Sequence, residues 1–157
     1  MNNNEDKSEL VNSVFNKVYK KYDLMNDIMS LGVHRIWKKN LVSWMNPSSN
    51  AKILDVAAGT GDMAKKFSKK NNNENMIYCV EPNKGMFNEG KKKLEKYKNI
   101  KWFISSAEQL PFADSTFDYY TISFGIRNVT NINLCLKEAN RVLKTGGRFM
   151  CLEFSKI

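Results

Sequence analysis

Five short apolar runs, each separated from the next by polar or helix-forming sequence, constrain this chain more than any other feature. Lys52 to Ala57 (KILDVA) is a nearly continuous apolar strand that runs straight into Gly59-Thr60-Gly61 and a helical stretch from about Asp62 to Ser68. After the Asn71 to Asn75 loop, Met76 to Val80 reads as a second strand and Gly85 to Tyr97 as a helix. Ile100 to Ile104 is a third strand, Phe117 to Ser123 a fourth, Asn133 to Leu143 a helix and Arg148 to Phe154 a fifth strand. Strands that alternate with helices form a parallel sheet with helices on both faces. Right-handed crossovers then make it a doubly wound, Rossmann-like α/β sheet.

The first third reads differently. Leu10, Val14, Phe15 and Val18 have helical spacing and predict a helix from about Ser8 to Tyr19. A second helix is expected over Val33 to Met45, with Ile36, Trp37, Leu41 and Trp44 on its buried side, ended by Pro47 and the Ser/Asn cluster. The expected organisation is a disordered tail over 1–7, a helical cover over 8–46 and the Rossmann-like domain over 47–157. At 157 residues the chain suits one domain, and 42% apolar residues suffice for a core. Its apolar runs fall well short of the roughly 20 residues a spanning helix needs. The polar start has neither a signal-peptide apolar region nor the Arg-rich, acid-poor character of a transit peptide, so any organelle targeting segment is expected outside this chain.

Cys79, Cys135 and Cys151 are odd in number, far apart and set in apolar runs, with no CxxC or Cys/His ligand spacing. They read as buried free thiols in a reducing compartment, and no metal site is expected. The net charge of +9 comes mostly from lysines in solvated, Asn-rich stretches, which reads as compositional bias. If the charge serves a surface, anionic lipid fits better than nucleic acid.

Chemistry-bearing residues gather at the carboxyl ends of the strands, where ligands of such sheets lie. In Leu54-Asp55-Val56-Ala57-Ala58-Gly59-Thr60-Gly61-Asp62 a glycine turn lets a ligand approach the backbone, and the next helix offers its free N–H groups. The spacing is Gly-x-Gly rather than the GxGxxG of dinucleotide binders. Glu81 ends the second strand, where a carboxylate accepts both hydroxyls of a ribose. An exposed Glu at a strand end is common by itself; the combination favours a nucleoside. Ser106-Ala107-Glu108-Gln109-Leu110-Pro111-Phe112 suits an adenine ring, or is an ordinary loop closed by Pro111. Ser123-Phe124-Gly125-Ile126-Arg127-Asn128-Val129-Thr130 places an Arg-Asn pair where a developing phenolate or ring oxygen can be held.

These four segments resemble the class I S-adenosylmethionine-dependent methyltransferases. Two longer segments narrow the resemblance. Tyr22-Asp23-Leu24-Met25-Asn26-Asp27-Ile28-Met29-Ser30, followed by His34 and Trp37, is similar to the N-terminal signature of the ubiquinone/menaquinone biosynthesis C-methyltransferases. Arg141-Val142-Leu143-Lys144-Thr145-Gly146-Gly147, continuing to Leu152-Glu153-Phe154-Ser155, is similar to their second signature. The match runs from about Val14 to Lys156, and Ser30-Leu31-Gly32-Val33-His34-Arg35 most resembles the mitochondrial ubiquinone enzymes and their bacterial relatives.

The resemblance implies a sheet of strand order 3-2-1-4-5 and S-adenosyl-L-methionine as cofactor. Thr60, Glu81, Ser106, Ala107 and Ser123 fall on cofactor positions, Gly59 and Gly61 would shape the turn, and Asp55 would orient the cofactor's amino group through a water. Tyr22, Met25, Asn26 and Trp37 would line the substrate side beneath the cover, although Met25 and Trp37 also read as plain packing residues. The implied reaction is methylation of a ring carbon of a polyprenyl benzoquinol. Arg127 and Asn128 would hold the phenolate, and Asp23, His34 or a water on Asn128 would take the proton. His34, the single histidine, reads equally as a structural hydrogen-bond donor.

Ala58 replaces a usual Gly of the family, Glu81 a usual Asp, Ser105-Ser106 a more acidic or Asn-containing pair, and Thr145 a Pro. The family fold continues past the fifth strand, so the chain reads as C-terminally truncated, with that strand an exposed edge. Expected partners are the quinol and, left open, a quinone-biosynthesis complex at a membrane surface or a homodimer. The implied location is the matrix side of the mitochondrial inner membrane in a eukaryote, or the cytoplasm in a bacterium. The rivals are a demethylmenaquinol methyltransferase and a non-catalytic subunit of the same fold. A nucleic-acid enzyme is disfavoured because Ser123-Phe124-Gly125-Ile126 stands where amino-directed enzymes carry Asn/Asp-Pro-Pro-aromatic.

Overall fold

The computed structural model describes residues 33–70 and 72–154. The expected tail over 1–7, the helix at Ser8 to Tyr19 and the candidates Tyr22, Asp23, Met25 and Asn26 lie outside the described residues. Helix α1 spans Val33–Met45, and strand β1, Lys52–Val56, follows. Then come α2 (Asp62–Lys70), β2 (Met76–Val80), α3 (Lys84–Lys93), β3 (Ile100–Phe103) and β4 (Phe117–Ser123). A 3-10 turn at Ile126–Asn128, α4 (Ile132–Val142) and β5 (Leu143–Leu152) complete the order.

The five strands form one parallel sheet in the order β3-β2-β1-β4-β5, as the family resemblance implies. β1 is its centre, with Leu54 set between Tyr78 of β2 and Tyr120 of β4. Because side chains alternate along a strand, β1 feeds two separate cores. Ile53 joins Leu41, Val42, Met45, Met63, Phe67 and Leu94 on the face covered by α1 and α2. Leu54 and Val56 join Phe117, Tyr120, Ile122, Cys135, Ala139 and Val142 on the face covered by α4. Asn83 and Asn131 start α3 and α4 as N-caps, their side-chain oxygens accepting from Met86 N–H (3.0 Å) and Leu134 N–H (3.1 Å).

Three expectations are corrected. In α1 the buried stripe is His34, Lys38, Leu41, Val42 and Met45. Ile36 and Trp44 point outward at 58% and 75% exposure, and Trp37 is 37% exposed. The helix is rotated relative to its hydropathy because the charge of Lys38 is met inside by Asp62, so a lysine occupies a core-facing position. β5 begins at Leu143, not Arg148. Leu143 pairs with Phe117 while Arg148 pairs with Tyr119, and the extra residues around Gly146 (φ +79°) bulge out of the ladder. Cys79 and Cys135 are buried, but Cys151 is exposed.

Trp102 of β3 fixes how closely α3 can approach the sheet. A Cβ at Gly90 would lie 2.3 Å from the Trp102 ring, and Phe87 holds that ring edge-on at 5.9 Å. Gly90→Ala is expected to destabilise the chain by about 1–2 kcal/mol, because overpacking outweighs the gain in helix propensity. In a Trp102→Leu background the loss should vanish or reverse. Urea unfolding of the four proteins checks this; equal losses in both backgrounds would show that the indole does not set the approach.

Candidate functional site

Asp55 lies near the carboxyl end of β1 and is 1% exposed. Its cross-strand partner on β4 is Thr121, whose Oγ1 donates to Asp55 Oδ1 at 2.9 Å. Asp55 Oδ2 is buried without a hydrogen-bond partner. Burial pushes the carboxyl up to about 7, opposed by the Thr121 hydroxyl and by the positive charge of Lys38. A buried acceptor left unmade is costly, so a cation or donor placed against Oδ2 would be strongly favoured.

The turn after β1 is built for close approach. Ala57 takes φ +53°, Gly59 φ +57° and Gly61 φ +82°. Gly61 admits no side chain, since a Cβ there would stand 2.6 Å from Leu94 and 2.9 Å from Trp102. Gly59 N–H donates to Glu81 Oε2 at 2.8 Å, and Asn83 N–H donates to Glu81 Oε1 at 2.9 Å. The two donors fix the carboxylate at the end of β2 while leaving each oxygen a further lone pair. Burial pushes the Glu81 carboxyl above its ordinary range, partly offset by those two N–H groups. Thr60 lies half-buried between the two glycines.

Asp62 opens α2 and receives two lysines, Lys38 from α1 at 3.0 Å and Lys66 from its own helix at 3.4 Å. Burial alone would raise its carboxyl, but the lysines hold it below the ordinary value.

At the end of β4, Phe124 takes φ +56°, which is strained for a bulky residue. This turns its ring into a cluster. His34 meets it edge-on at 6.3 Å, Phe154 packs at 4.9 Å, and Lys38 Nζ stands 5.9 Å from its centre. Trp37 meets Phe154 at 5.7 Å. A Cβ at Gly125 would come 2.5 Å from that of Ala57, so the turns after β1 and β4 touch there. Ser123 Oγ is buried and unpartnered. Arg127 Nε donates to Glu153 Oε1 at 3.0 Å, its Nη2 pairs with the same oxygen, and its guanidinium lies 5.1 Å over the Phe154 ring. Asn128 closes the 3-10 turn, its N–H donating to Gly125 C=O at 3.0 Å. His34 and Arg127 are therefore linked through the rings of Phe124 and Phe154.

Ser106 and Ala107 follow β3, half-buried and buried respectively. Ala107 packs in the α4-side core beside Leu110 and Phe103. Glu108 accepts from the N–H groups of Thr130 (2.7 Å) and Asn131 (3.2 Å), which ties this segment to the one after β4.

The sequence pattern of the ubiE/COQ5 methyltransferase family matches residues 1–157. The chain belongs to that family. The ubiquinone/menaquinone biosynthesis C-methyltransferase UbiE of Rickettsia prowazekii (strain Madrid E) is 52% identical over 158 residues, covering 96% of this chain and 63% of that protein. Its counterpart in Rickettsia bellii (strain OSU 85-389) is 51% identical over 97% of this chain and 63% of that protein. The chain thus spans about 63% of the length of the curated relatives it matches. Among solved structures, a putative S-adenosyl-L-methionine-dependent methyltransferase from Methanococcus maripaludis superposes with a TM-score of 0.74 at 17% identity, over 86% of this chain and 62% of that one. The YcgJ protein of Bacillus subtilis gives 0.67 at 25% identity, over 72% of this chain and 49% of that one. The sheet is therefore the class I methyltransferase fold.

Within this member of the ubiE/COQ5 family, sequence reasoning missed Lys38, Asp62, Thr121 and Glu153. Lys38 and Asp62 are distant in sequence, and only the rotation of α1 brings them together. Thr121 was readable as a polar residue in an apolar strand, and Glu153 as a carboxylate at the end of another.

Burial of Asp55 has a consequence for stability. Its carboxyl sits at about 7 in the folded chain against 3.8 as the ordinary value. Between those values the folded state keeps a proton that the unfolded state has released. This contribution to stability is full below the unfolded value and is lost as pH rises through the folded one. Each tenfold change in proton affinity is worth about 1.4 kcal/mol, so the loss amounts to a few kcal/mol. Thermal melts of wild type and Asp55→Asn should therefore diverge from pH 4.5 to 8, the wild type falling relative to the variant. Parallel curves would show that Asp55 titrates normally.

Proposed function

We propose that residues 47–157 form the S-adenosyl-L-methionine-binding unit of a C-methyltransferase acting on a polyprenyl benzoquinol in ubiquinone biosynthesis, with 8–46 as its substrate cover. The observation that carries this reading is the pair of buried carboxylates around the glycine turn. One, Asp55, keeps an unpartnered oxygen, and the other, Glu81, is pinned by two backbone N–H groups.

The residues present fit such a ligand. Asp55 Oδ2 offers an acceptor to an ammonium, and the lone pairs of Glu81 suit two vicinal hydroxyls. The turn at Gly59, Thr60 and Gly61 lets backbone approach closely, while Ser106 and Ala107 flank the space after β3 and Ser123 Oγ waits unpartnered after β4. The bound cofactor supplies an electrophilic methyl group on a sulfonium. The chain's own part is alignment, water exclusion and proton handling. Arg127, anchored by Glu153, is suited to hold a phenolate as the ring hydroxyl is deprotonated, acting as a positioned donor whose charge Glu153 partly balances. A guanidinium does not release its proton readily, so Asp23, His34 or a water on Asn128 serves as the base. Trp37, with Tyr22, Met25 and Asn26, forms the substrate side. The aromatic cluster of Trp37, Phe124 and Phe154 supports an apolar, ring-accepting surface there.

A lipid-tailed quinol puts the reaction at a membrane surface, and the net charge of +9 suits an anionic one. That surface is the matrix side of the inner membrane in a eukaryote or the cytoplasmic side in a bacterium, with a homodimer or a biosynthetic complex as the assembly. The relatives carry both quinone names, so a demethylmenaquinol substrate is the second reading. Supplying benzoquinol and naphthoquinol substrates separately to the full-length protein decides: methylation of the naphthoquinol alone would replace the first reading by the second.

Calorimetric titration of S-adenosyl-L-methionine into the 157-residue chain tests the cofactor assignment. Saturable one-to-one binding is expected, weakened about tenfold or more in Glu81→Ala, as loss of hydrogen bonds to a charged group requires. No binding by a folded, monomeric chain would overturn the reading.

A further inference from the structure

The proposed cofactor site contains a buried cation that the cofactor reading leaves unused. Lys38 lies on the core-facing stripe of α1 and is only 7% exposed. Lysines are almost never so buried without compensating partners. An ammonium has three N–H donors. Among the described residues, the one oxygen that receives a hydrogen bond from Lys38 is Asp62 Oδ2, at 3.0 Å, with the ring of Phe124 at 5.9 Å as its other neighbour. Asp62 is itself shared with Lys66 and is 37% exposed at its side chain, so it does not fully neutralise the charge of Lys38.

The second observation lies close by. Asp55 is 1% exposed, its Oδ2 has no partner, and the Lys38 charge partly offsets the effect of burial on its carboxyl. A half-satisfied buried anion and a half-satisfied buried cation thus stand within electrostatic reach of each other beside the first turn of α2. They are not hydrogen-bonded to one another, which leaves a pair of opposite charges held apart. Such a pair is complementary to a zwitterion, whose ammonium and carboxylate branch from one carbon.

Resting on the S-adenosyl-L-methionine reading, we propose that Lys38 receives the α-carboxylate of the ligand's amino-acid part while Asp55 receives its α-ammonium. Helix α1 then belongs to the cofactor site as well as to the cover. The glycine turn and Glu81 hold the nucleoside, and the Lys38–Asp55 pair selects an intact amino acid at the far end of the ligand.

The test compares two probes by calorimetry: S-adenosyl-L-methionine, and its decarboxylated analogue, which keeps the sulfonium and the ammonium but lacks the carboxylate. Wild type should bind the first about tenfold or more tightly, the scale of one charge-assisted hydrogen bond. That preference should collapse in Lys38→Met and persist in Lys38→Arg. If Lys38→Met weakens both ligands equally, Lys38 only packs α1 and the proposal falls. If wild type binds both ligands equally, the proposal falls whether or not the variant folds. If wild type binds neither ligand, the cofactor reading itself fails, which is a different result from binding without discrimination.

Discussion

A carboxylate enclosed at the centre of a parallel sheet is the constraint around which this molecule is arranged. Asp55 is held on one side by Thr121 of the adjacent strand and left open on the other. Its burial disfavours its own charge, and Lys38 moderates the penalty from outside the sheet. The position of α1 follows, because the helix that delivers Lys38 must turn a lysine inward and leave Ile36 and Trp44 exposed. Arrangements that store unfavourable electrostatics where a charged ligand lands are usual at functional sites.

Backbone strain is also present at this place. Ala57 and Phe124 both take the left-handed region without being glycine, and they follow β1 and β4, where Val56 and Ile122 sit side by side. Gly125 lets these turns meet. The result is a rim in which the backbone after one strand supports the backbone after the next. Phe124 is thereby turned toward His34, Lys38 and Phe154 rather than into the α4-side core. The site is the junction of two bent strand ends, braced by an aromatic ring.

The sheet was legible because its cause is local. Each apolar run is long enough for one strand, each intervening stretch holds a helix or a turn, crossover handedness makes the sheet doubly wound, and the family resemblance supplies the strand order. The positions of Glu81 and the glycine turn were legible because both follow directly from strand ends. The face of α1 was not, because hydropathy assigns a lysine to solvent and cannot anticipate an ion pair with a residue 24 positions away. The start of β5 was not, because Lys144-Thr145-Gly146-Gly147 carries no strand pattern and bulges out between the Leu143–Phe117 and Arg148–Tyr119 pairs. The strained conformations of Ala57 and Phe124 leave no trace in residue type.

At the opposite ends of the strands the structure uses polar groups in another way. Asp118 accepts from Lys52 N–H at 2.8 Å and from Lys144 Nζ at 2.7 Å, stitching β1 and β5 to β4. Ser68, Asn75 and Asn99 knit α2 to the starts of β2 and β3 through hydrogen bonds such as Asn99 Nδ2 to Asn75 C=O at 2.8 Å. Among the described residues this end leaves one buried side-chain atom, Asn75 Nδ2, without a partner, whereas the other rim leaves three, Asp55 Oδ2, Ser123 Oγ and Glu153 Oε2. The molecule is polarised into a nearly finished end and an unfinished one. Sequence drift at the finished end is free to tune persistence of the fold alone. Drift at the unfinished end changes what the fold is waiting to receive.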